Sequence, residues 1–355
     1  MNNVVNGRLV LQDGTIYSGF SFGSSKSMAG EVVFSTGMVG YPESLTDPSY
    51  HGQILVSTYP LVGNYGVPDD VSEASLKKNF ESEKIQIKGM IISDYSNLHN
   101  HWNSSISLGG WLQKYGIPGL HGIDTRALTK KLREHGVMLG KIVIDEEIEF
   151  DDPNTRNLAG EVSVKEKIVY EKGSSRVLLI DCGVKNNIIR CFLDRGITVV
   201  RVPWDYDFSN EEYDGLFISN GPGDPKQCGK TVEHVKVAMQ QEKPIFGICL
   251  GSQILALASG ADTYKLKYGH RGQNQPCIEV GSKRCYITSQ NHGYAINEST
   301  LPEEWEPWFR NVNDNTNEGI KHRSKPFFAV QFHPEANPGP QDTEFLFDKF
   351  VELIK

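Results

Sequence analysis

Between residues 176 and 260 the chain alternates short, wholly apolar runs with helical stretches, a pattern that few folds can accommodate. RVLLIDCG reads as a strand buried on both faces, and NNIIRCFLDRG follows as a helix closed by Gly196. ITVVRVPW and DGLFISNGPG give two more strands, and PIFGIC a fourth after the helical TVEHVKVAMQQ. Apolar strands joined by helices imply parallel βαβ units, so 176–355 is expected to be a doubly wound α/β domain. Such sheets bind ligands at the carboxyl ends of their strands. Those ends here carry Gly221-Pro222-Gly223 and Cys249.

Upstream the texture differs. Residues 1–145 mix short alternating runs with Gly, Pro, Asn and Asp turns, which predicts a β-rich domain. One helix is expected within it, over Asp124–Gly136, where Asp124 can cap the first turn and Leu128 and Leu132 share a face. The stretch 146–175 begins acidic and ends in Gly173-Ser174-Ser175, and reads as a linker. Charge sets limits on partners: 36 basic against 44 acidic side chains leave a formal −8, which disfavours a nucleic-acid surface. No run approaches the apolar length of a membrane span, and the N-terminus lacks the pattern of a signal peptide, so a cytoplasmic protein is expected. The six cysteines form no CxxC pair and no zinc spacing, which predicts reduced thiols and no metal.

One of those thiols stands out. In Pro244-Ile-Phe-Gly-Ile-Cys-Leu-Gly-Ser-Gln253 an apolar strand runs into Cys249, an apolar helix follows, and Gly247 and Gly251 flank the cysteine at i−2 and i+2. A cysteine after an apolar strand is ordinarily an inert core residue. The flanking glycines instead describe a nucleophile elbow, whose tight strand-to-helix turn needs small neighbours to present the side chain. The amides that open the helix would stabilise negative charge on the sulfur. A thiolate acting on an acyl group also needs a proton donor for the leaving group. The strand FFAVQF delivers His333 at its end, followed by Pro334 and Glu335. Pro334 favours an extended His333, which lets Glu335 reach the imidazole from the same side and fix its tautomer. Asn220-Gly-Pro-Gly-Asp-Pro225 lacks the spacing of a nucleotide-binding loop. Beside the elbow it could donate one oxyanion N–H, with Leu250 donating the other.

GPGDP, GICLGSQ and HPE in this order resemble a class I, triad-type glutamine amidotransferase. Further segments are similar to the small, glutamine-hydrolysing subunit of carbamoyl-phosphate synthetase: GYPESLTDPSY, GIDTR, GHRGQNQP and TSQNHGY, with the closest wording that of CAD-type fused polypeptides. The resemblance runs end to end. It implies Cys249 as nucleophile, His333 as general acid and base, and Glu335 as the residue that orients His333. It also implies a glutamine pocket of Ser49, Gly221, Gly223, Leu250, Gln253, Asn291, Gly293 and Tyr294. Tyr294 stands where phenylalanine is common, and Ser252 where histidine is usual.

The implied activity is hydrolysis of L-glutamine to feed ammonia to carbamoyl phosphate synthesis for pyrimidines or arginine. No cofactor is implied on this chain. MgATP and bicarbonate belong to the synthetase partner, a large subunit or a fused region. A stand-alone glutamine or γ-glutamyl hydrolase and a non-catalytic module on the same fold are the rival readings; some relatives lack the cysteine and use free ammonia. His99 and His101 read as part of a polar loop, His270 and Arg271 as lining the interface or the ammonia path or else ordering a loop, and His292 as a pocket neighbour outside the catalytic set.

Overall fold

The computed structural model describes residues 6–355, which form two compact units, one ending at Thr155 and the other beginning at Arg156. In the first unit seven strands close into a barrel. They are β1 (Asn6–Leu11), β2 (Ile16–Ser21), β3 (Met28–Ser35), β4 (Gln53–Ser57), β5 (Gly89–Ile91), β6 (Gly119–His121) and β7 (Met138–Val143). Their order around the barrel is β1-β7-β3-β4-β5-β6-β2. β3, β4, β5 and β6 pair in parallel, and the remaining pairs are antiparallel. Closure removes the exposed edges that a short-stranded sheet would otherwise present. Leu9, Leu11, Val32, Ile54, Val56, Ile91, Leu120 and Ile142 are wholly buried. A second cluster joins Val33, Leu55 and Met90 to Leu45 of α1 (Tyr41–Thr46) and to Trp111 and Leu112 of α2 (Leu108–Lys114). α3 (Thr125–His135) forms as the sequence predicts, with the Asp124 carboxylate accepting from the Ala127 N–H at 2.8 Å.

The second unit is built on ten strands. They are β8 (Ile168–Tyr170), β9 (Arg176–Asp181), β10 (Thr198–Pro203), β11 (Gly215–Ile218), β12 (Ile245–Ile248), β13 (Asp262–Glu279), β14 (Cys285–Asn297), β15 (Trp305–Asn311), β16 (Asn317–His322) and β17 (Phe327–Val330). The sheet order is β8-β10-β9-β11-β12-β17-β16-β15-β13-β14. The four apolar runs of the sequence are β9 to β12, mutually parallel, and β17 pairs in parallel with β12. Beyond β17 the sheet turns antiparallel. Leu216 and Ile218 of β11 face a core shared with α7 (Leu250–Ser259) and α6 (Gly229–Ala238). Phe217 faces the other way, into an aromatic cluster with Phe192 of α5 (Asn186–Asp194) and Phe347 of α8 (Phe345–Ile354); Phe192 lies 5.0 and 5.2 Å from these two rings, edge-on. Helices on both faces are what strands apolar on both sides require.

The segment 146–175, read from sequence as a linker, is divided between the units. Its second part holds α4 (Leu158–Val162), with Leu158 and Ala159 buried, and the edge strand β8. Both are too short for periodicity to register. Among the described residues no helix is long and apolar enough to cross a membrane.

Candidate functional site

β12 ends at Ile248, α7 begins at Leu250, and Cys249 alone makes the turn, at φ 56° and ψ −109°. A non-glycine residue pays for such a conformation in backbone strain, of order 1–3 kcal/mol. The flanking glycines have a steric reason. A Cβ on Gly251 would stand 2.1 Å from the Ile218 carbonyl oxygen, and one on Gly247 2.6 Å from that of Gly251. Nothing larger fits where the elbow presses against β11. The Cys249 N–H donates to Val330 O at 2.9 Å, which ties the turn to β17, and the Ser252 hydroxyl closes it by donating to Cys249 O at 2.7 Å. Ser252 is wholly buried, its hydroxyl spent on backbone.

β17 ends at Val330, the chain bends through Gln331 and Phe332, and His333 bridges to Ser289, its N–H donating to Ser289 O at 2.9 Å. A turn closed by Ala336 N to His333 O then brings Glu335 back. The sequence suggests that extended backbone sets the two side chains on one side; the turn does so instead. His333 Nδ1 lies 2.7 Å from Glu335 Oε1. Both residues are 2% exposed, and His333 Nε2 has no hydrogen-bond partner. Burial alone would favour a neutral imidazole, but the charges of Glu335 and Cys249 outweigh it and raise His333 above the ordinary histidine range. Burial likewise works against a charged Glu335. Lys185 and His333 reverse that and hold the carboxylate below its usual range.

Lys185 is a residue that sequence reading missed. Its ammonium lies 3.0 Å from Glu335 Oε1 and also donates to the Ala336 carbonyl, at 3% exposure. Its backbone N–H donates to Asn220 Oδ1 at 3.1 Å, which joins the Gly-Pro-Gly loop to the same network. Lys185 and Glu335 are 150 positions apart, and no local signal could pair them.

The expected glutamine-binding residues divide by unit. Ser49 belongs to the barrel unit, buried in the turn Pro48–Tyr50, where its N–H donates to Asp47 Oδ1 at 2.9 Å. The others lie in the α/β unit. Gly221 packs so tightly that a Cβ would meet Cys182 O at 2.0 Å and the Leu250 side chain at 2.8 Å, which sets the Gly221–Gly223 loop beside the elbow. The N–H of Leu250, first in α7, is one of the amides that a helix cannot satisfy internally. Asn291 presents its carbonyl 3.6 Å from Cys249 Sγ. The Gln253 amide nitrogen donates to Tyr294 O at 2.8 Å and to Gln331 Oε1 at 2.9 Å, so it braces the strand of Asn291, Gly293 and Tyr294. His292 is buried and held well below the usual histidine range, chiefly by burial and then by His270. His99 and His101 are engaged locally, with Ser104 Oγ and the Asn103 N–H respectively.

A buried cysteine on a strained elbow, beside a histidine bonded to a carboxylate, is the arrangement that cysteine hydrolases and amidotransferases of the α/β class use. Residues 178–353 match the family model of class-I glutamine amidotransferases, and residues 9–142 that of the carbamoyl-phosphate synthase small chain, CPSase domain. The chain belongs to the carbamoyl-phosphate synthase small-chain family. It is 55% identical to the multifunctional protein CAD of Squalus acanthias, over 98% of this chain and 16% of that protein. Multifunctional protein pyr-3 of Neurospora crassa is 51% identical, over 98% of this chain and 21% of its own length. The human mitochondrial carbamoyl-phosphate synthase [ammonia] is 51% identical, over 98% and 24%. The chain thus spans about a fifth of the length of these relatives.

Proposed function

We propose that this chain hydrolyses L-glutamine to glutamate and ammonia, and delivers the ammonia to a carbamoyl-phosphate synthetase, as a separate large subunit or a region of one longer polypeptide. The observation that carries the reading is the strained Cys249 beside the buried His333–Glu335–Lys185 chain, in a fold whose family splits glutamine. His333 Nε2 already holds the proton shed by the Cys249 thiol, and the sulfur attacks the side-chain amide carbon. The oxyanion is received by backbone N–H groups of Leu250 and the Gly221–Gly223 loop. His333 then gives its proton to the leaving nitrogen, which departs as ammonia and leaves a γ-glutamyl thioester. A water deprotonated by His333 attacks that thioester. Glutamate leaves as the carbon–sulfur bond breaks, and the proton taken from water stays on His333 beside the freed sulfur.

Glu335 holds the imidazole so that Nε2 faces the sulfur, and Lys185 holds Glu335 ionised. Asn291, Gly293 and Tyr294 complete the glutamine pocket within the α/β unit. Gln253 meets substrate through its carbonyl oxygen, since its amide nitrogen is committed. No cofactor is needed on this chain, while MgATP and bicarbonate act on the synthetase, in the cytoplasm. A module that merely passed on free ammonia would have no use for a strained nucleophile and an ionised histidine–carboxylate pair. The test is Cys249→Ala in the synthetase-containing holoenzyme. Glutamine-dependent carbamoyl phosphate formation should fall below about 5% while ammonia-dependent synthesis persists. Retained glutamine-dependent activity would overturn the assignment.

A further inference from the structure

The antiparallel half of the sheet holds a buried cluster that glutamine hydrolysis does not use. His270 of β13, His292 of β14 and Glu318 of β16 bring their ligand atoms within 4.8 Å of one another. His270 Nδ1 is 3.2 Å, and His292 Nε2 3.7 Å, from the same oxygen, Glu318 Oε1. The other nitrogen of each ring is already engaged. His270 Nε2 lies 2.8 Å from Asp314 Oδ2, and His292 Nδ1 2.8 Å from Tyr294 O. A neutral imidazole that donates one N–H presents a lone pair on the other nitrogen. In that state two lone pairs and a carboxylate face one another in a buried site, where the nearest donors are long: the Asn311 amide nitrogen 3.4 Å from His270 Nδ1 and the Thr316 hydroxyl 3.4 Å from Glu318 Oε1. Gln290 Oε1 adds a further acceptor 3.2 Å from His292 Nε2, its amide nitrogen being turned toward Cys277 Sγ and Thr288 Oγ1. Glu318 Oε2 is buried with no hydrogen-bond partner at all. A cation set between these acceptors would balance them in a low-dielectric interior.

We propose that His270 Nδ1, His292 Nε2 and Glu318 form a zinc site, completed by Gln290 Oε1 or a water. With bonds of about 2.0–2.1 Å, a tetrahedral zinc has ligand–ligand edges near 3.3 Å. The observed 3.2 and 3.7 Å span that value. Asp314 and the Tyr294 carbonyl are the outer partners that metal-bound histidines ordinarily have, fixing tautomer and ring orientation. Asp314, with its side chain 41% exposed, marks the route from solvent. The three ligands lie far apart in sequence on three strands, so no spacing motif announces the site. Bound zinc would pin the strand that offers the Asn291 carbonyl to Cys249 and the Tyr294 carbonyl to Gln253.

The test uses this chain with Cys249→Ala and Cys285→Ser, so that the elbow and the exposed thiol do not bind metal. After incubation with zinc sulfate and gel filtration, elemental analysis should find about one zinc per chain, and zinc should raise Tm by several degrees. Glu318→Gln and His270→Asn should each hold less than about 0.2 zinc and lose the shift in Tm. Asp314→Asn, at a half-exposed carboxylate that need not perturb folding, should bind zinc about 10–100-fold more weakly. Less than about 0.1 zinc in the parent would overturn the proposal, leaving a proton as the cation. So would an Asp314→Asn variant that binds zinc as tightly as the parent.

Discussion

At residue scale the site is governed by backbone strain and by one ionised pair. Cys249 occupies a conformation that glycine adopts at little cost. Cys249→Gly should therefore be more stable than Cys249→Ala by about 1 kcal/mol in urea unfolding, though neither hydrolyses glutamine. Equal stabilities would mean that the elbow is not strained. Glu335→Gln should lower kcat by about 10²–10⁴ with a smaller effect on KM, because the imidazole loses the partner that sets its tautomer. The same pair gives a pH dependence of stability with a definite sign. His333 is raised in the folded chain, so its contribution is complete below the unfolded value, about 6.5, and is lost as pH rises through the native one. Glu335 is lowered, so its contribution is present above about 4.3 and lost as pH falls through the native value. The stability advantage of wild type over Glu335→Gln should thus peak between these limits and shrink on either side. Urea midpoints across pH would show it, and a flat difference would refute it.

At the scale of elements, the elbow works because two glycines let β12, α7 and β11 approach within backbone contact. Gly251→Ala, whose Cβ meets a carbonyl oxygen, should cost more than about 2 kcal/mol. Gly229→Ala opens α6 into empty space and should be neutral or stabilising by up to about 1 kcal/mol. Differential scanning calorimetry of the two variants separates a steric requirement from a general intolerance of alanine. The parallel strands were legible because burial on both faces makes them continuous apolar runs. The long antiparallel pair β13 and β14 was not, although it carries Asn291, Gly293 and Tyr294. Its register shifts between Lys265 and His270 and again between Gly272 and Gln275. Each shift resets the alternation that would mark a strand, so GHRGQNQP and TSQNHGY read as motifs without an evident secondary structure.

At the scale of the whole molecule, the barrel unit holds none of the thiol, imidazole or carboxylate chemistry, and a free hydrolase has little use for a further seven-stranded barrel. Its expected work is docking on the synthetase. Free protein should release glutamate slowly, and adding the matching synthetase with bicarbonate and MgATP should accelerate it at least tenfold, about 1.4 kcal/mol of barrier. Equal steady-state rates, with the complex verified by gel filtration, would instead support an autonomous hydrolase.

By itself the sequence determined what depends on neighbours along the chain. The elbow follows from glycines two residues either side of Cys249, the buried strands from runs of apolar residues, and the His333–Glu335 pair from positions two apart. Sterics and periodicity act over a few residues, so such features survive in one dimension. Tertiary structure alone decided what stands behind them: Lys185 on Glu335, the Asn291 carbonyl at the Cys249 sulfur, and two histidines and a carboxylate converging from three strands. Those contacts depend on strand order and register, which are set by how the whole sheet buries its surface and satisfies its polar groups.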